Sequence, residues 1–435
     1  MISVLGLGRL GLSFAASVAN KNISVKGIDI DPDRIERIQN RPGSFEEPHL
    51  GEYLINSSEN LDLTTDASKT VDDSDITFIF VNTYDDEVRG YSLDQVENAV
   101  RTVSSSLDSE NEGHLIVLRC TVMPGDIEDN VIRWIESESC FKPGEGIHLC
   151  YWPEFTALGS VVESIENPEY RVIGEYTETA GDKLLSFIEE WGFNGSVNIR
   201  MDVRSAEIAK IALNNYVSMK MSYANYLGRV CHELNADVDS VTHALGQDGR
   251  VSEKYFTSGV KFGGPCFPHD TDAFEELGEK TGLNARFAHA TRQINENHSR
   301  WISDKVRQVS DDGDVIGVLG LTYKPGVRVI ESSQGRDLVE HLNRDFDLAL
   351  YDPMDISSLV NQEFEDVEGN NKRYKFYDNL GDAIESADTA VITLRDGSLY
   401  QPNLYKNVTL IDPWRFLSSE DIHESTEYYP LGEPR

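Results

Sequence analysis

Met1-Ile2-Ser3-Val4-Leu5-Gly6-Leu7-Gly8-Arg9-Leu10-Gly11 opens the chain and decides its fold. A short apolar run meets a Gly-x-Gly-x-x-Gly turn, and an Ala- and Ser-rich helical pattern follows. In that context the glycines permit a tight turn, close backbone approach to a diphosphate, and close helix–strand packing. The helix N-terminus adds free N–H groups and a positive dipole. Asp29 ends the next apolar run, 18 residues after Gly11, where a carboxylate can accept hydrogen bonds from a ribose 2′-hydroxyl. The same charge repels a 2′-phosphate, so NAD is expected over NADP. Arg34, one turn further on, either flanks the adenosine or receives such a phosphate, and the sequence leaves both open.

Beyond this turn, strand and helix patterns alternate. Residues 2–5, 25–30, 76–81 and 115–118 read as buried strands of a parallel sheet with crossover helices. From 202 to about 234 there is no Pro and one Gly, Gly228, which predicts a single long helix. Such a helix links domains and packs on a partner subunit. Strand-like runs restart at 315–319, 348–351, 389–394 and 408–411, with a helical pattern over 334–342. The expected class is α/β: a Rossmann domain over 1–200, a central long-helix dimerisation region over 201–300, and a second Rossmann-like domain over 301–435.

Among 435 residues, 39 Lys and Arg face 75 Asp and Glu, for a net charge of −36. A surface so negative repels nucleic acid and anionic membrane, and it suits a salt-rich cytoplasm. No run is apolar enough to span a bilayer, and the N-terminus lacks the basic segment of a secretory signal. Cys120, Cys140, Cys150, Cys231 and Cys266 are scattered without a CxxC pair, so neither a disulfide framework nor a metal site is expected. The chain reads as cytoplasmic and reducing, with a thiol free to work.

That thiol is sought in Phe262-Gly263-Gly264-Pro265-Cys266-Phe267-Pro268-His269-Asp270. Glycines and prolines hold Cys266 on a stiff loop that a ligand can approach closely, and Asp270 follows one helical turn later. A single cysteine is more often a small core residue; this setting shifts the balance towards a nucleophile. Lys210 and Asn214 are four apart on the long helix and share a face, suited to stabilising an oxyanion or lowering a thiol pKa. The bland alternative is a solvated lysine beside an incidental amide. Tyr151-Trp152-Pro153-Glu154-Phe155 sets a carboxylate just past an apolar strand, at the sheet edge where open α/β sheets place their sites.

Together these segments resemble the UDP-glucose/GDP-mannose dehydrogenase family along nearly the whole chain. Cys120-Thr121-Val122 is similar to its Ser-Thr-Val turn, Pro153-Glu154-Phe155 to its Asn-Pro-Glu-Phe-Leu motif, and residues 206–214 to its catalytic helix. Residues 262–270 are close to its Phe-Gly-Gly-Ser/Pro-Cys-Phe-Pro-Lys-Asp signature, the most specific of the set. Tyr323-Lys324-Pro325 matches its C-terminal lysine motif. Three departures stand out. Thr156-Ala157-Leu158-Gly159 replaces Leu-Arg-Glu-Gly, His269 replaces a lysine, and Ile330 replaces the arginine of Arg-Glu-Ser, with Arg328 nearby as a substitute.

The resemblance implies NAD contacts at Gly6, Gly8, Arg9, Leu10, Gly11, Asp29, Arg34, Thr83 and Thr121. It implies catalysis by Cys266, Lys210, Asn214, Asp270, Glu154 and Thr121. It implies nucleotide-sugar contacts at Glu154, Phe155, Lys210, Asn214, Tyr255, Phe262, Gly263 and Lys324, and an Arg250 that reaches a neighbouring subunit's substrate in a homodimer or higher homo-oligomer. The implied reaction is a four-electron oxidation of a sugar C6 alcohol to the acid through a Cys266 thioester, without metal. UDP-glucose is the first choice, with UDP-N-acetylhexosamine and GDP-mannose as alternatives. A two-electron hydroxy-acid dehydrogenase and a non-catalytic nucleotide-sugar binder are the rival readings.

Overall fold

Ile2–Leu5 is buried at all four positions and becomes β1, an inner strand with a parallel neighbour on each side. A computed structural model describes residues 1–40, 45, 47–67, 74–84, 90–156, 158–193, 195–365 and 373–434. Among these, the chain divides into two compact units, Met1–Leu213 and Asn214–Arg435.

The first unit is built on β1 with β2 (Val25–Ile28), β3 (Leu61–Thr64), β4 (Ile76–Ile79), β5 (Leu115–Leu118), β6 (Lys142–Pro143), β7 (Gly146–Tyr151), β8 (Tyr170–Glu175) and β9 (Val197–Asp202). The strand order is β3-β2-β1-β4-β5-β7-β8-β9, with β6 beside β7. Strands that are apolar at every position, such as β5, need cover on both faces. Leu115 and Val117 enter one core with Phe14, Phe78 and Trp191, while Ile116 and Leu118 enter another with Val100 and Val131. The direction reverses once: β8 runs antiparallel to β7, and β9 is parallel to β8.

Three strands are shorter than the sequence suggests, one of them in the second unit, where the 389–394 run pairs only over Thr389–Ile392. β2 ends at Ile28, and Ile30 is 89% exposed. The reason is Asp29, whose carboxylate turns back to accept N–H bonds from Leu7 and Asp31 and ends the pairing. β4 likewise stops at Ile79. The predicted long helix is present as Val203–Leu234, and the boundary between the units falls inside it.

In the second unit β10 (Val315–Leu319), β11 (Asp347–Tyr351), β12 (Tyr374–Phe376), β13 (Thr389–Ile392), β14 (Thr409–Asp412) and β15 (Glu427–Pro430) form a parallel sheet in the order β12-β11-β10-β13-β14-β15. The helix Gln334–Leu342 follows β10, as its periodicity predicts. Two further helices, Phe267–Lys280 and Arg286–Val309, pair closely in this unit. Among the described residues no helix is long and apolar enough to cross a membrane.

Candidate active site

The three glycines of the first turn have different reasons to be glycine. Gly6 has φ +91°, and a Cβ there would stand 1.9 Å from the Phe80 carbonyl oxygen. A Cβ on Gly11 would stand 2.0 Å from the Gly6 oxygen. The fold demands both. Gly8 has an ordinary φ of −65°, and a Cβ on it would meet nothing within 4 Å. Its bare backbone serves no packing need, which is what a surface kept open for a diphosphate requires.

Gly8 is also the N-cap of the helix Arg9–Ala19, and no side chain caps that end. The first-turn N–H groups are thereby left for a ligand. Asp29 is buried, accepts the Leu7 N–H at 2.8 Å, and pairs with Arg34 Nη1 at 3.1 Å. Arg34 is thus placed at the carboxylate. Arg9 is exposed, Leu10 packs on the first core, and buried Thr83 accepts the Ser92 N–H at 2.9 Å. The turn, helix end and acid fit a dinucleotide.

Further along the same sheet edge, Thr121 is half-buried in the turn after β5. Glu207 of the long helix fixes this turn, accepting N–H bonds from Gly125 at 2.7 Å and Ile127 at 3.1 Å. Burial pushes its carboxyl up to about 7, against the pull of those two donors. One turn along, Lys210 is 6% exposed, and its Nζ lies 5.3 Å from the centre of the Phe155 ring. It is not a solvated lysine: the structure brings it to the Pro-Glu-Phe motif. Glu154 is in direct contact with the guanidinium of Arg119, which is itself buried. Ala157 lies outside the described residues.

The cysteine loop belongs to the second unit. Phe262 is clamped by Asn295, which accepts its N–H and donates to its carbonyl, each at 2.9 Å. A Cβ on Gly263 would stand 2.3 Å from the Ser332 oxygen, and one on Gly264 (φ +79°) 2.6 Å from the Tyr323 ring. The Gly264 N–H also reaches the Glu331 carbonyl at 3.0 Å. The glycines therefore press the loop onto the segment carrying Tyr323, half-buried Lys324 and Glu331-Ser332. Cys266 is the half-buried N-cap of the helix Phe267–Lys280, where the dipole favours a thiolate. Asp270, fully buried in the first turn, accepts the Asn214 amide at 2.5 Å.

The other cysteines contrast with it. Burial pushes the Cys120 thiol up to about 12 and raises those of Cys150 and Cys231, while Cys140 is exposed. His269 lies 3.6 Å from Glu331, and Ile330 is packed into the second unit's core, with Arg328 directed to Ser358 at 3.5 Å. Arg250 is on the surface and pairs with Asp248 at 2.6 Å, and Tyr255 is 54% exposed.

Comparison with known proteins decides the family. Residues 1–191 match the NAD binding domain, and 204–297 the central domain, of the UDP-glucose/GDP-mannose dehydrogenase family. A GDP-mannose 6-dehydrogenase of Pseudomonas syringae pv. tomato is 30% identical over 86% of this chain and 84% of its own. The chain belongs to the UDP-glucose/GDP-mannose dehydrogenase family. It is an NAD-dependent nucleotide-sugar dehydrogenase. UDP-glucose 6-dehydrogenase AglM of Haloferax volcanii is 28% identical over 90% of both chains. A solved UDP-glucose dehydrogenase from Pyrobaculum islandicum superimposes with a TM-score of 0.86 at 28% identity, over 99% of this chain and 97% of that one.

Sequence reasoning missed Arg119, Glu207 and Asn295. Arg119 carried a legible signal, a charge directly after the all-apolar run Leu115–Leu118. Glu207 and Asn295 lie within helices, where nothing local marks a polar residue as buried.

Proposed function

We propose that this enzyme takes the C6 alcohol of a nucleotide sugar to the carboxylate in four electrons, with UDP-glucose the first substrate to test. The observation that carries the reading is the placement of Cys266: half-buried at a helix N-terminus, on a loop wedged by two glycines, with Asp270 one turn on. Gly6, Gly8, Gly11 and Asp29 would hold NAD, which would supply the hydride acceptor for each oxidation.

The protein's own groups do the rest. Lys210 and Asn214 donate to the C6 oxygen as negative charge grows on it, with Thr121 beside the reacting carbon. Asp270 holds the Asn214 amide and assists proton transfer through Lys210 or water. Cys266 sulfur adds to the aldehyde carbon, and the resulting adduct is oxidised to a thioester. Glu154 takes a proton from water, whose oxygen bonds to the acyl carbon as the C–S bond breaks. Phe155, Phe262, Gly263, Tyr255 and Lys324 line the nucleotide-sugar site. Arg250 reaches a partner subunit, in a homodimer formed along the exposed tyrosines 216, 223 and 226 of the long helix.

NADH yield tests the reading: two equivalents per UDP-glucose support it, one points to a two-electron dehydrogenase, and none from any of UDP-glucose, GDP-mannose and UDP-N-acetylhexosamine favours a binder. Cys266→Ser should abolish formation of the acid. A dilute-solution mass of one chain would remove the dimer.

A further inference from the structure

Arg119 is a charge where the strand before it holds none. It follows β5, and its side chain is 1% exposed. The guanidinium lies 3.6 Å from the Trp152 ring centre and about 5 Å from those of Phe14 and Phe80, at 5.0 and 5.1 Å. Aromatic faces stabilise a cation, but they do not neutralise it. A guanidinium buried this deeply needs a counter-charge, because an unpaired buried ion costs several kcal/mol. The carboxylate in contact with it is Glu154.

A second arginine stands on the other side. Arg171 of β8 is 2% exposed, and none of its three guanidinium nitrogens has a hydrogen-bond partner among the described residues. β7 and β8 pair antiparallel with Cys150 opposite Glu175 and Tyr151 opposite Gly174. The pairing ends there, and Arg171 lies three residues from Gly174 along β8. Burial, and the neighbouring positive charge of Arg171, draw Arg119 below the ordinary arginine range. Arg171 thus adds positive charge beside Arg119, and the carboxylate that meets Arg119 is Glu154, whose side chain keeps 11% of its surface exposed.

We infer that Arg119 is the positioning residue of the hydrolytic step: it holds Glu154 ionised, with one oxygen engaged and the other presented to water. The inference rests on the reading of Glu154 as the base that releases the acyl group from Cys266. In that step the water proton passes to Glu154, the water oxygen bonds to the acyl carbon, and the electron pair of the broken C–S bond leaves on Cys266 sulfur. Arg119 touches none of the reacting atoms. Its effect is confined to the state and direction of the base, so the two oxidations before hydrolysis do not need it.

The experiment compares wild type with Arg119→Lys, Arg119→Met and Glu154→Gln, using NAD and UDP-glucose, or whichever nucleotide sugar proves to be oxidised. Three quantities are read: the first-turnover NADH burst, the steady rate, and the intact mass of the protein during turnover. Arg119→Met should keep the two-equivalent burst, lose about 10- to 100-fold in steady rate, and accumulate an acyl adduct on Cys266. The acid limb of its steady rate should move up by about 1–3 pH units, the shift expected when a carboxylate loses an adjacent cation. Arg119→Lys should fall between Met and wild type, because an ammonium keeps the charge but not the planar fork.

A burst that falls in parallel with the steady rate would show a structural role and overturn the inference, as would an unchanged steady rate. If Arg119→Met does not fold, Arg119→Lys alone decides, by the same comparison of burst with steady rate. Glu154→Gln separates the two layers. Without an acyl adduct in that variant, the reading of Glu154 fails. With an adduct there and none in the Arg119 variants, the inference about Arg119 fails on its own.

Discussion

At Gly6 and at Gly320 the chain makes the same move. Each glycine leaves an inner strand flanked by parallel neighbours with a positive φ, +91° and +111°. A helix glycine packs on each: a Cβ on Gly11 would stand 2.0 Å from the Gly6 oxygen, and one on Gly335 2.2 Å from the Gly320 oxygen. An acid after the next strand closes each turn, Asp29 on the Leu7 N–H and Asp352 on the Leu321 N–H. What differs is the stretch between glycine and helix. In the first unit only Leu7 and Gly8 intervene, and the helix end is uncapped. In the second, residues 321–333 intervene, Ser333 caps the Arg336 N–H at 3.1 Å, and Asp352 takes two more bonds from Thr322. One frame leaves its helix end without a side-chain cap, and the other spends the Arg336 N–H on its own serine. A Rossmann-like sheet is thus a dinucleotide site only where its donors are left unspent.

The largest effects test the shared frame. Gly11→Ala and Gly335→Ala should each cost about 3 kcal/mol, since both would force a Cβ against a carbonyl oxygen. Melting of both variants checks this, and a loss at only one would break the equivalence.

The next prediction concerns pH. Glu207 has a folded pKa of about 7 against an ordinary 4.5, so the fold favours its protonated form. Its contribution is complete below about pH 4.5 and is lost as pH rises through about 7. Glu207→Gln should remove that loss, making the variant progressively more stable than wild type over this window, by at most about 3 kcal/mol. Denaturant melts of both at pH 4.5, 6 and 8 should show the gap opening. A constant gap would sink the assignment.

The sharpest difference between the units is expected at Gly8. Gly8→Ala has room for its Cβ, so stability should stay within about 0.5 kcal/mol, while NAD affinity falls by roughly tenfold, or 1.4 kcal/mol. Titration of NAD into the folded variant would expose the opposite result, unchanged affinity, which would detach Gly8 from the cofactor. The smallest effect belongs to the closed helix end: Ser333→Ala should lose about 1 kcal/mol of stability and leave NAD binding untouched.

Strand periodicity made both sheets legible, because fully buried strands must be apolar throughout. It overran their ends at residues 30, 81 and 394, and at the first of these the Asp29 carboxylate, not hydropathy, stops pairing. Cys266 and Gly263-Gly264 could be singled out from the sequence because glycine and proline flanks leave few backbone choices. The partners of those residues could not. That Asn214 bonds Asp270, 56 positions away, or that Glu154 rests on Arg119, depends on how distant segments meet.

The amino-acid sequence by itself determined the class of fold, the glycine turn of the NAD-binding domain and the stiffness of the cysteine loop, since each is set by neighbours along the chain. Only the tertiary structure decided which of the two glycine turns has an uncapped helix end, which lysine is buried, and which carboxylate meets the buried arginine. Those outcomes turn on desolvation and on through-space pairing, and neither leaves a mark in local sequence.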